Sequence, residues 1–487
     1  MLRIFFGGIY ILFSLCCIGL IVRTKYEEYD QLNTYNIYDR HGKPLICNTF
    51  TYDVYIKSRL VNNSKEIYST ICHLTNMTYN EFCERLKTEN TILIGKNIKK
   101  FYPEPFDQSF LYKLTHVSIK VVRNIKRLYT LDTGSTILGV RNEKIGLKKM
   151  LEINAENDNV YTTIDSKIQK LFADLVKKHN IKHEAKETFG VIVNEKFEII
   201  CVGSSKSPEP NNLQDFQSFL HQSYSLGSTM KPLTVWAALN YNVITPHTKI
   251  PLSLGKFIDK RPMTDTEPLG TDYATIDKIL YHSSQFGVVA ISKMFKEKNL
   301  YDFLKHELHF NEPFEVIGLN KIQPFLPEKP PAYDIQTMSF GYVFRIPVLL
   351  AIQAYMLMIL GKRGKIRLLR GPEISEKYEL NGRKDVAKIL QRVATRSTIL
   401  GKYGCMSKSG TLHVWDSKKN IFLDDVNNFF FLCIPHKKGF LFCYFGMLKN
   451  KKKQLAMKTV RALAEEFIEL LFQNKFIEPI ENKNIFE

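Results

Sequence analysis

The chain has 487 residues, of which 44% are hydrophobic and 24% are charged, a balance that excludes an intrinsically disordered protein and suffices for two or three folded domains. The net charge of +19 suits an acidic partner or a membrane surface. No zinc-finger, RNA-recognition or helix-turn-helix pattern accompanies this charge, so we expect a basic solvated surface and no nucleic-acid partner.

Residues 4–22 form an uncharged apolar segment that would span about 28 Å as a helix, close to the thickness of a bilayer core. The segment is long for a signal peptide, and Arg23-Thr24-Lys25 follows it in place of a small-residue cleavage site. We therefore predict a short stub and an uncleaved membrane anchor at 1–23, with a cleaved signal peptide as the alternative. The flanking charges do not fix the orientation of this anchor.

The remainder divides by pattern into three parts: short mixed helices and strands at 24–158, a larger domain at 159–475 and a tail at 476–487. In the first part, Asp39-Arg40-His41-Gly42 indicates a turn between strands.

The larger domain begins with a predicted helix and a predicted hairpin. Asp165 is a good helix N-cap, because apolar residues follow it at helical spacing, namely Ile168, Leu171, Phe172 and Leu175. The apolar runs 190–193 and 197–202 then flank a short polar turn, which predicts two paired strands.

Ser228-Thr229-Met230-Lys231 is the first motif that carries chemistry. The spacing predicts that Ser228 opens a helix and that Lys231 follows one turn later on the same face. A neutral lysine there would accept the serine proton, and Pro232 is tolerated in a first turn. Alone the pattern is weak, and its plain alternative is a surface serine and lysine on an ordinary helix.

Ser283-Ser284-Gln285 starts a second helix-like run. The Ser283 hydroxyl would shuttle a proton among Lys231, Lys408 and a leaving amine, and Gln285 would hold a substrate amide. The alternative for Ser283 is a helix N-cap. Further along, residues 346–360 are apolar but interrupted by Pro347 and Gln353, which predicts a buried helix rather than a second membrane span.

Lys408-Ser409-Gly410-Thr411 is predicted to lie on an edge strand. Gly410 would let a substrate backbone approach closely. Lys408 would supply positive potential, and the hydroxyls of Ser409 and Thr411 suit a carboxylate. The backbone N–H groups of Ser228 and Thr411 would then form an oxyanion hole.

The last part of the domain contains two apolar strand-like runs, 429–434 and 440–445, and then a helix. The apolar stripe of that helix is formed by Val460, Leu463, Ala464, Phe467, Leu470 and Leu471. The order of elements predicts an α+β fold in which helices cover an antiparallel sheet.

The nine cysteines contain no C-x-x-C pair and predict neither a metal site nor a redox motif. We expect buried free thiols, with a bridge between Cys433 and Cys443 as an open alternative. Histidines such as His221 and His413 are expected to be structural or exposed.

The order and spacing of the three motifs resemble the S-x-x-K, S-x-N and K-[TS]-G elements of class B penicillin-binding proteins, which are membrane-anchored peptidoglycan D,D-transpeptidases. The resemblance covers nearly the whole length of the chain. Further similar elements are Asp39-Arg40-His41-Gly42, Leu138-Gly139, Gly146-Leu147-Lys148-Lys149, Thr163-Ile164-Asp165 with Gln169, and Thr337-Met338-Ser339-Phe340-Gly341, of which the last resembles the septal, cell-division branch.

The resemblance implies a single-pass protein of the inner membrane, with a small mixed α/β pedestal and a periplasmic transpeptidase domain. It implies a D-Ala-D-Ala stem peptide as donor, an acyl-enzyme on Ser228, binding of β-lactams, and no metal or cofactor. It also implies a glycosyltransferase and other division proteins as partners. The catalytic residues would be Ser228, Lys231, Ser283 and Lys408, and the substrate-binding residues Gln285, Ser409, Gly410 and Thr411.

The chain departs from the family pattern at several positions. Gln285 replaces the usual Asn, Leu226 replaces a Pro, Val343 stands where a second Gly is expected, and Leu412-His413 follows Thr411. Two alternatives therefore remain: a catalytically inactive scaffold of the division machinery, and a serine D,D-carboxypeptidase or drug sensor.

Overall fold

The computed structural model describes residues 36–61, 63–72, 75–98, 119–129, 159–205, 219–220, 222–317, 323–416, 421–450 and 454–480. The predicted anchor, the Leu138 and Gly146 motifs and His221 lie outside these residues. Within the described ranges, no helix has both the length and the apolar character needed to cross a membrane.

The strands and helices below are numbered in chain order. The strands are β1 Asn36–Tyr38, β2 Pro44–Lys57, β3 Thr91–Ile98, β4 Ile119–Tyr129, β5 Asn159–Tyr161, β6 Glu187–Asn194, β7 Ile199–Ser204, β8 Ser223–Tyr224, β9 Ile250–Pro251, β10 Phe257–Ile258, β11 Arg261–Pro262, β12 Tyr273–Ala274, β13 Ile346–Pro347, β14 Lys362–Gly364, β15 Ser375–Lys377, β16 Met406–Asp416, β17 Ile421–His436 and β18 Gly439–Asn450. The α-helices are α1 Ser64–Ile71, α2 Tyr79–Thr88, α3 Ser166–His183, α4 Lys231–Asn240, α5 Ile276–Tyr281, α6 Gln285–Met294, α7 Leu300–Asp302, α8 Ala332–Met338, α9 Val348–Leu360, α10 Arg383–Ala394, α11 Thr398–Lys402 and α12 Val460–Gln473.

Contacts divide the chain into two compact units. The first contains the described residues from Ile46 to Leu128 together with Asn36 and Asn159, and β2 pairs antiparallel with β3 in it. Its apolar core includes Phe82, which is fully buried on α2. Thr78 and Glu81 form a capping box at the start of α2, which satisfies two of the N–H groups that a helix start leaves unpaired. The role of this unit as a pedestal stays a prediction.

The second unit contains a five-stranded antiparallel sheet in the order β16-β17-β18-β6-β7. The two predicted strand pairs are confirmed as β6 with β7 and β17 with β18. β6, β17 and β18 are longer than the apolar runs that predicted them, whereas β7 has the same length as its run and begins two residues later. β16 is the edge strand of this sheet, as expected for the segment that carries Lys408.

Both faces of this sheet are covered, which explains why β17 is apolar at successive positions rather than at alternate ones. Phe430, Leu432 and Ile434 belong to the core beneath α3 and α12. On the opposite face, the Phe431 ring stacks on Tyr355 of α9, with ring centroids 3.6 Å apart.

The helices predicted after Asp165, within 346–360 and at the stripe that begins with Val460 are confirmed at their sequence positions. The Asp165 carboxylate accepts hydrogen bonds from the backbone N–H groups of Lys167 and Ile168, at 3.0 and 3.2 Å, and so caps α3. The interrupted apolar run at 346–360 folds as a two-residue strand followed by α9, which is buried along almost its entire length. Ile477, which we assigned to the C-terminal tail, is buried in the core with α12.

The bridge considered between Cys433 and Cys443 does not form, and both are free buried thiols. Cys433 pairs with Phe442 and Cys443 with Leu432, so the two cysteines occupy adjacent register positions. Because side chains alternate along a strand, the two thiols lie on opposite faces of the sheet.

Phe172 on α3 joins the sheet to α12, since its ring centroid lies 5.8 Å from that of Phe445 and 5.2 Å from that of Phe467. We expect Phe172→Ala to lower the free energy of unfolding by about 3–5 kcal/mol, because it leaves a cavity in a closed core. Ile181→Ala on the same helix is the control, since Ile181 is 77% exposed. Urea unfolding measures both variants, and an equal loss of unfolding free energy in the two would contradict the proposed packing of Phe172.

Candidate active site

The turn that carries Ser228 differs from the prediction. Gly227–Met230 is a 3₁₀ turn, and Lys231 is the first residue of α4, with Pro232 tolerated in its first turn. In a 3₁₀ turn, positions i and i+3 eclipse each other, so Ser228 and Lys231 still share one side. Ser228 is half-buried, whereas Lys231 is only 1% exposed.

Ser283 lies between α5 and α6 and is the point where the two motif lysines meet. Its hydroxyl accepts a hydrogen bond from Lys408 Nζ at 2.9 Å and one from Lys231 Nζ at 3.4 Å. Lys231 also donates to the Ser283 backbone carbonyl. Ser283 is not the helix cap: Ser284 Oγ accepts from Gly287 N at 3.0 Å and takes that role.

Burial depresses the basicity of both lysines. Lys231 and Lys408 are each 1% exposed, and a charged ammonium is disfavoured where water is excluded. Burial lowers the pKa of Lys231 to about 7, against the opposing pull of the Asp265 carboxylate. Burial lowers the pKa of Lys408 well below its usual range, and the positive charges of Lys231 and Arg396 add to this effect.

Two glycines allow close backbone contacts around the Ser228 turn, Gly410 on the edge strand and Gly341 after α8. A side chain at Gly410 would place its Cβ 2.7 Å from the Leu226 carbonyl oxygen. The close approach that we predicted for a substrate is therefore made by the chain itself. Gly341, at φ +90°, would place a Cβ 2.1 Å from the Gly227 carbonyl oxygen, which leaves no room for another residue.

Val343 occupies the position where the family pattern has a second glycine. Its φ is +74°, a left-handed conformation that is strained for a β-branched residue. The backbone at Val343 thus has a conformation that a glycine would adopt without strain.

The Thr411 hydroxyl forms hydrogen bonds within the protein, to β17 and to the segment at 454–456. Thr411 and Asn428 are paired in register, and Thr411 Oγ1 donates to Asn428 Oδ1 at 3.1 Å. The same hydroxyl accepts from Ala456 N at 3.0 Å, and Asn428 Nδ2 donates to the Gln454 carbonyl at 2.8 Å. Asn428, which is fully buried, therefore ties the edge strand to the segment at 454–456.

Asp265 is a second residue that the sequence analysis missed. Its carboxylate accepts hydrogen bonds from Ser284 Oγ at 2.6 Å, from Gln285 N and from Phe286 N at 3.3 Å. It stands 20 residues before Gln285 in a stretch of short strands and turns, where no sequence pattern marks it.

A cavity of about 180 Å³ brings the three motifs together. Seven of the eight predicted site residues line this cavity, and Gly410 is the exception. Positive or titratable groups are also present in the cavity wall, namely Arg396, Arg461, His282 and His413. Glu267 contributes a carboxylate to the same wall. The part of the chain that the structure describes contains no group of three or more side chains suited to a metal ion.

We expect Asn428→Ala to lower the free energy of unfolding by about 1–3 kcal/mol for each buried partner left without a hydrogen bond. Asn427→Ala is the matched control, since Asn427 accepts an exposed bond from Lys449 N at 2.9 Å. Denaturant titration of both variants measures the difference. A loss in Asn428→Ala no greater than that in the control would contradict the role of Asn428.

Residues 188–469 match the sequence profile of the penicillin binding protein transpeptidase domain. "Peptidoglycan D,D-transpeptidase FtsI" of Buchnera aphidicola subsp. Baizongia pistaciae is 24% identical over 307 residues, which cover 60% of this chain and 52% of the relative. "Probable peptidoglycan D,D-transpeptidase PenA" of Neisseria flavescens is 28% identical over 211 residues, which cover 40% and 50%. The chain thus spans about half the length of these relatives.

Two solved structures share the fold across 92% of this chain. Penicillin Binding Protein 2X from Streptococcus thermophilus is similar with a TM-score of 0.70 at 14% identity over 82% of its own chain. A peptidoglycan synthetase from Bifidobacterium adolescentis is similar with a TM-score of 0.67 at 13% identity over 96% of its chain. The profile covers more than half of the chain and all three motifs, and this protein therefore belongs to the penicillin-binding protein transpeptidase family, in class B, as the order of the motifs predicted.

Proposed function

We propose that the chain is a peptidoglycan D,D-transpeptidase that cross-links stem peptides through an acyl-enzyme on Ser228. The observation that carries this proposal is the meeting of two buried lysines at the Ser283 hydroxyl, in the cavity that also opens on Ser228. Such an arrangement supplies a nucleophile, a base of suitable basicity and a proton path between them. The names of the two curated relatives agree with it.

The first half-reaction uses the protein's own groups. Ser228 Oγ attacks the carbonyl carbon between the two D-alanines, and the neutral amine of Lys231 accepts its proton. The N–H groups of Ser228 and Thr411 would stabilise the oxyanion. The proton then passes through Ser283 to the leaving D-alanine nitrogen, which departs and leaves an ester on Ser228.

The donor carboxylate would be bound at the edge strand. Because the Thr411 hydroxyl donates its hydrogen to Asn428, we assign the carboxylate to the Ser409 hydroxyl, in the cavity that Lys408 also lines. Gln285 lines the same cavity and would hold a substrate amide. An amine of a neighbouring strand then attacks the ester, which forms the cross-link and returns the proton to Ser228.

The wider setting follows from the sequence and remains part of the proposal. An anchor at 4–22 would hold the protein in the inner membrane with this domain in the periplasm, and the septal branch is favoured, with a glycosyltransferase and other division proteins as partners. β-Lactams would acylate Ser228 because they present a strained amide to the same nucleophile.

Ser228→Ala should abolish both release of D-alanine and formation of cross-links, since no other group replaces the nucleophile. The measurement uses the 487-residue chain in detergent with a D-Ala-D-Ala stem-peptide donor and an amine acceptor, analysed by chromatography. Ser225→Ala, three residues earlier and absent from the cavity lining, is the control. Release without cross-links would favour a carboxypeptidase, and no release by folded wild type would favour an inactive scaffold.

Acylation by a penicillin should depend on pH through Lys231. Below a pKa of about 7 the amine carries a proton and cannot accept another, so the rate should fall about tenfold per pH unit. Above that pH the amine is neutral and the rate should level off. Stopped-time labelling with a fluorescent penicillin gives this profile, and a rate independent of pH across this range would contradict the role of Lys231.

A further inference from the structure

The Asp265 carboxylate binds the start of α6 at three points. Its Oδ2 accepts the Ser284 hydroxyl proton at 2.6 Å, and its Oδ1 accepts from Gln285 N and, at 3.3 Å, from Phe286 N. The first N–H groups of a helix have no partner within the helix, and a negative charge there is stabilised by the helix dipole. Asp265 therefore fixes both the position and the direction of this helix end.

Ser283 immediately precedes that helix end in an unusual backbone conformation. Its φ of +55° is rare for a residue other than glycine and persists only where the surroundings impose it. On one side, its carbonyl and hydroxyl accept hydrogen bonds from Lys231, and its hydroxyl accepts one from Lys408. On the other side, the peptide that follows is held by the Ser284 and Gln285 contacts to Asp265.

Asp265 also acts on Lys231 through its charge. Among the described residues, the charge of Asp265 acts on Lys231, and the charges of Arg396 and Glu267 act on Lys408. Glu267 also pairs with Arg396 and His282, while Arg461 and His413 line the same cavity. Among these, Asp265 is the acid that acts on Lys231, and it favours the protonated amine against the effect of burial.

We propose that Asp265 is a positioning residue of the transpeptidase site, which aims the Ser283 hydroxyl at Lys231 and Lys408 by holding the first turn of α6. This inference rests on the proposed function. Asp265 does not touch the reacting atoms, and it acts through Ser283 and through the charge balance at Lys231.

Two substitutions distinguish the effect of the Asp265 hydrogen bonds from the effect of its negative charge. Asp265→Asn keeps an oxygen that can accept from the backbone N–H groups and an amide that can donate to Ser284, but it removes the negative charge. Without that charge, protonated Lys231 is less favoured, its pKa falls, and the acidic limb of the acylation profile moves to lower pH. Asp265→Ala removes all three hydrogen bonds, so acylation should slow at every pH.

The experiment measures the rate at which a fluorescent penicillin labels the full chain, over a pH range on both sides of about 7. Asp265→Ala should lose about 10²-fold in rate, the size expected when a catalytic group is misplaced by about 1 Å. Asp265→Asn should keep a higher rate on the plateau than Asp265→Ala, and the acidic limb of its pH profile should lie at lower pH than that of the wild type. Asp272→Asn, an exposed acid in the same segment, should match the wild type.

Thermal unfolding of each variant shows whether it is folded, and the profile of Asp265→Asn tests the proposal even where Asp265→Ala does not fold. Wild-type rates and an unshifted limb in Asp265→Asn, together with wild-type rates in any folded Asp265→Ala, would overturn the role of Asp265. Failure of the wild type itself to label would instead refute the proposed function, and this inference with it.

Discussion

Two buried lysine side chains that share one serine hydroxyl are the constraint on which the rest of the site depends. Lys231 and Lys408 come from a helix and an edge strand, and each is 1% exposed. Burying two charged amines in one cavity is unfavourable, so the pKa of Lys231 is lowered to about 7 and that of Lys408 falls well below its usual range. The surrounding fold offsets this unfavourable burial, and Ser228 lines the same cavity as the two lysines.

The fold holds this arrangement by close backbone contact. The Ser228 turn lies against β16 at Gly410 and against Gly341, where no side chain would fit. Behind β16, the sheet is covered on both faces, by α3 and α12 on one and by α9 on the other. Tyr355 of α9 donates from its hydroxyl to the Thr229 carbonyl at 2.5 Å, and so links the packed core to the turn that carries Ser228.

Local sequence patterns predicted the elements, because hairpin pairing and the Asp165 cap are short-range features. The order of the three motifs predicted residues that meet in one cavity although they lie far apart in the chain. Sequence patterns did not identify Asp265 or Asn428, whose partners lie 20 and 17 residues away and meet them only through tertiary packing. Nor do two adjacent serines reveal which one caps the helix: the positive φ of Ser283 decides that, and Ser284 takes the role. We predicted that Gly410 contacts a substrate, whereas in the structure it packs on the Leu226 carbonyl. The sequence does not reveal this contact because the two residues lie far apart in the chain.

We propose that Ser228 is the nucleophile that this pair of lysines activates. The most direct measurement is mass mapping of the full chain after brief reaction with a penicillin and an acid quench. We expect one added penicillin mass, located on the peptide that contains Ser228. An adduct on another residue, or no adduct on folded protein, would contradict it.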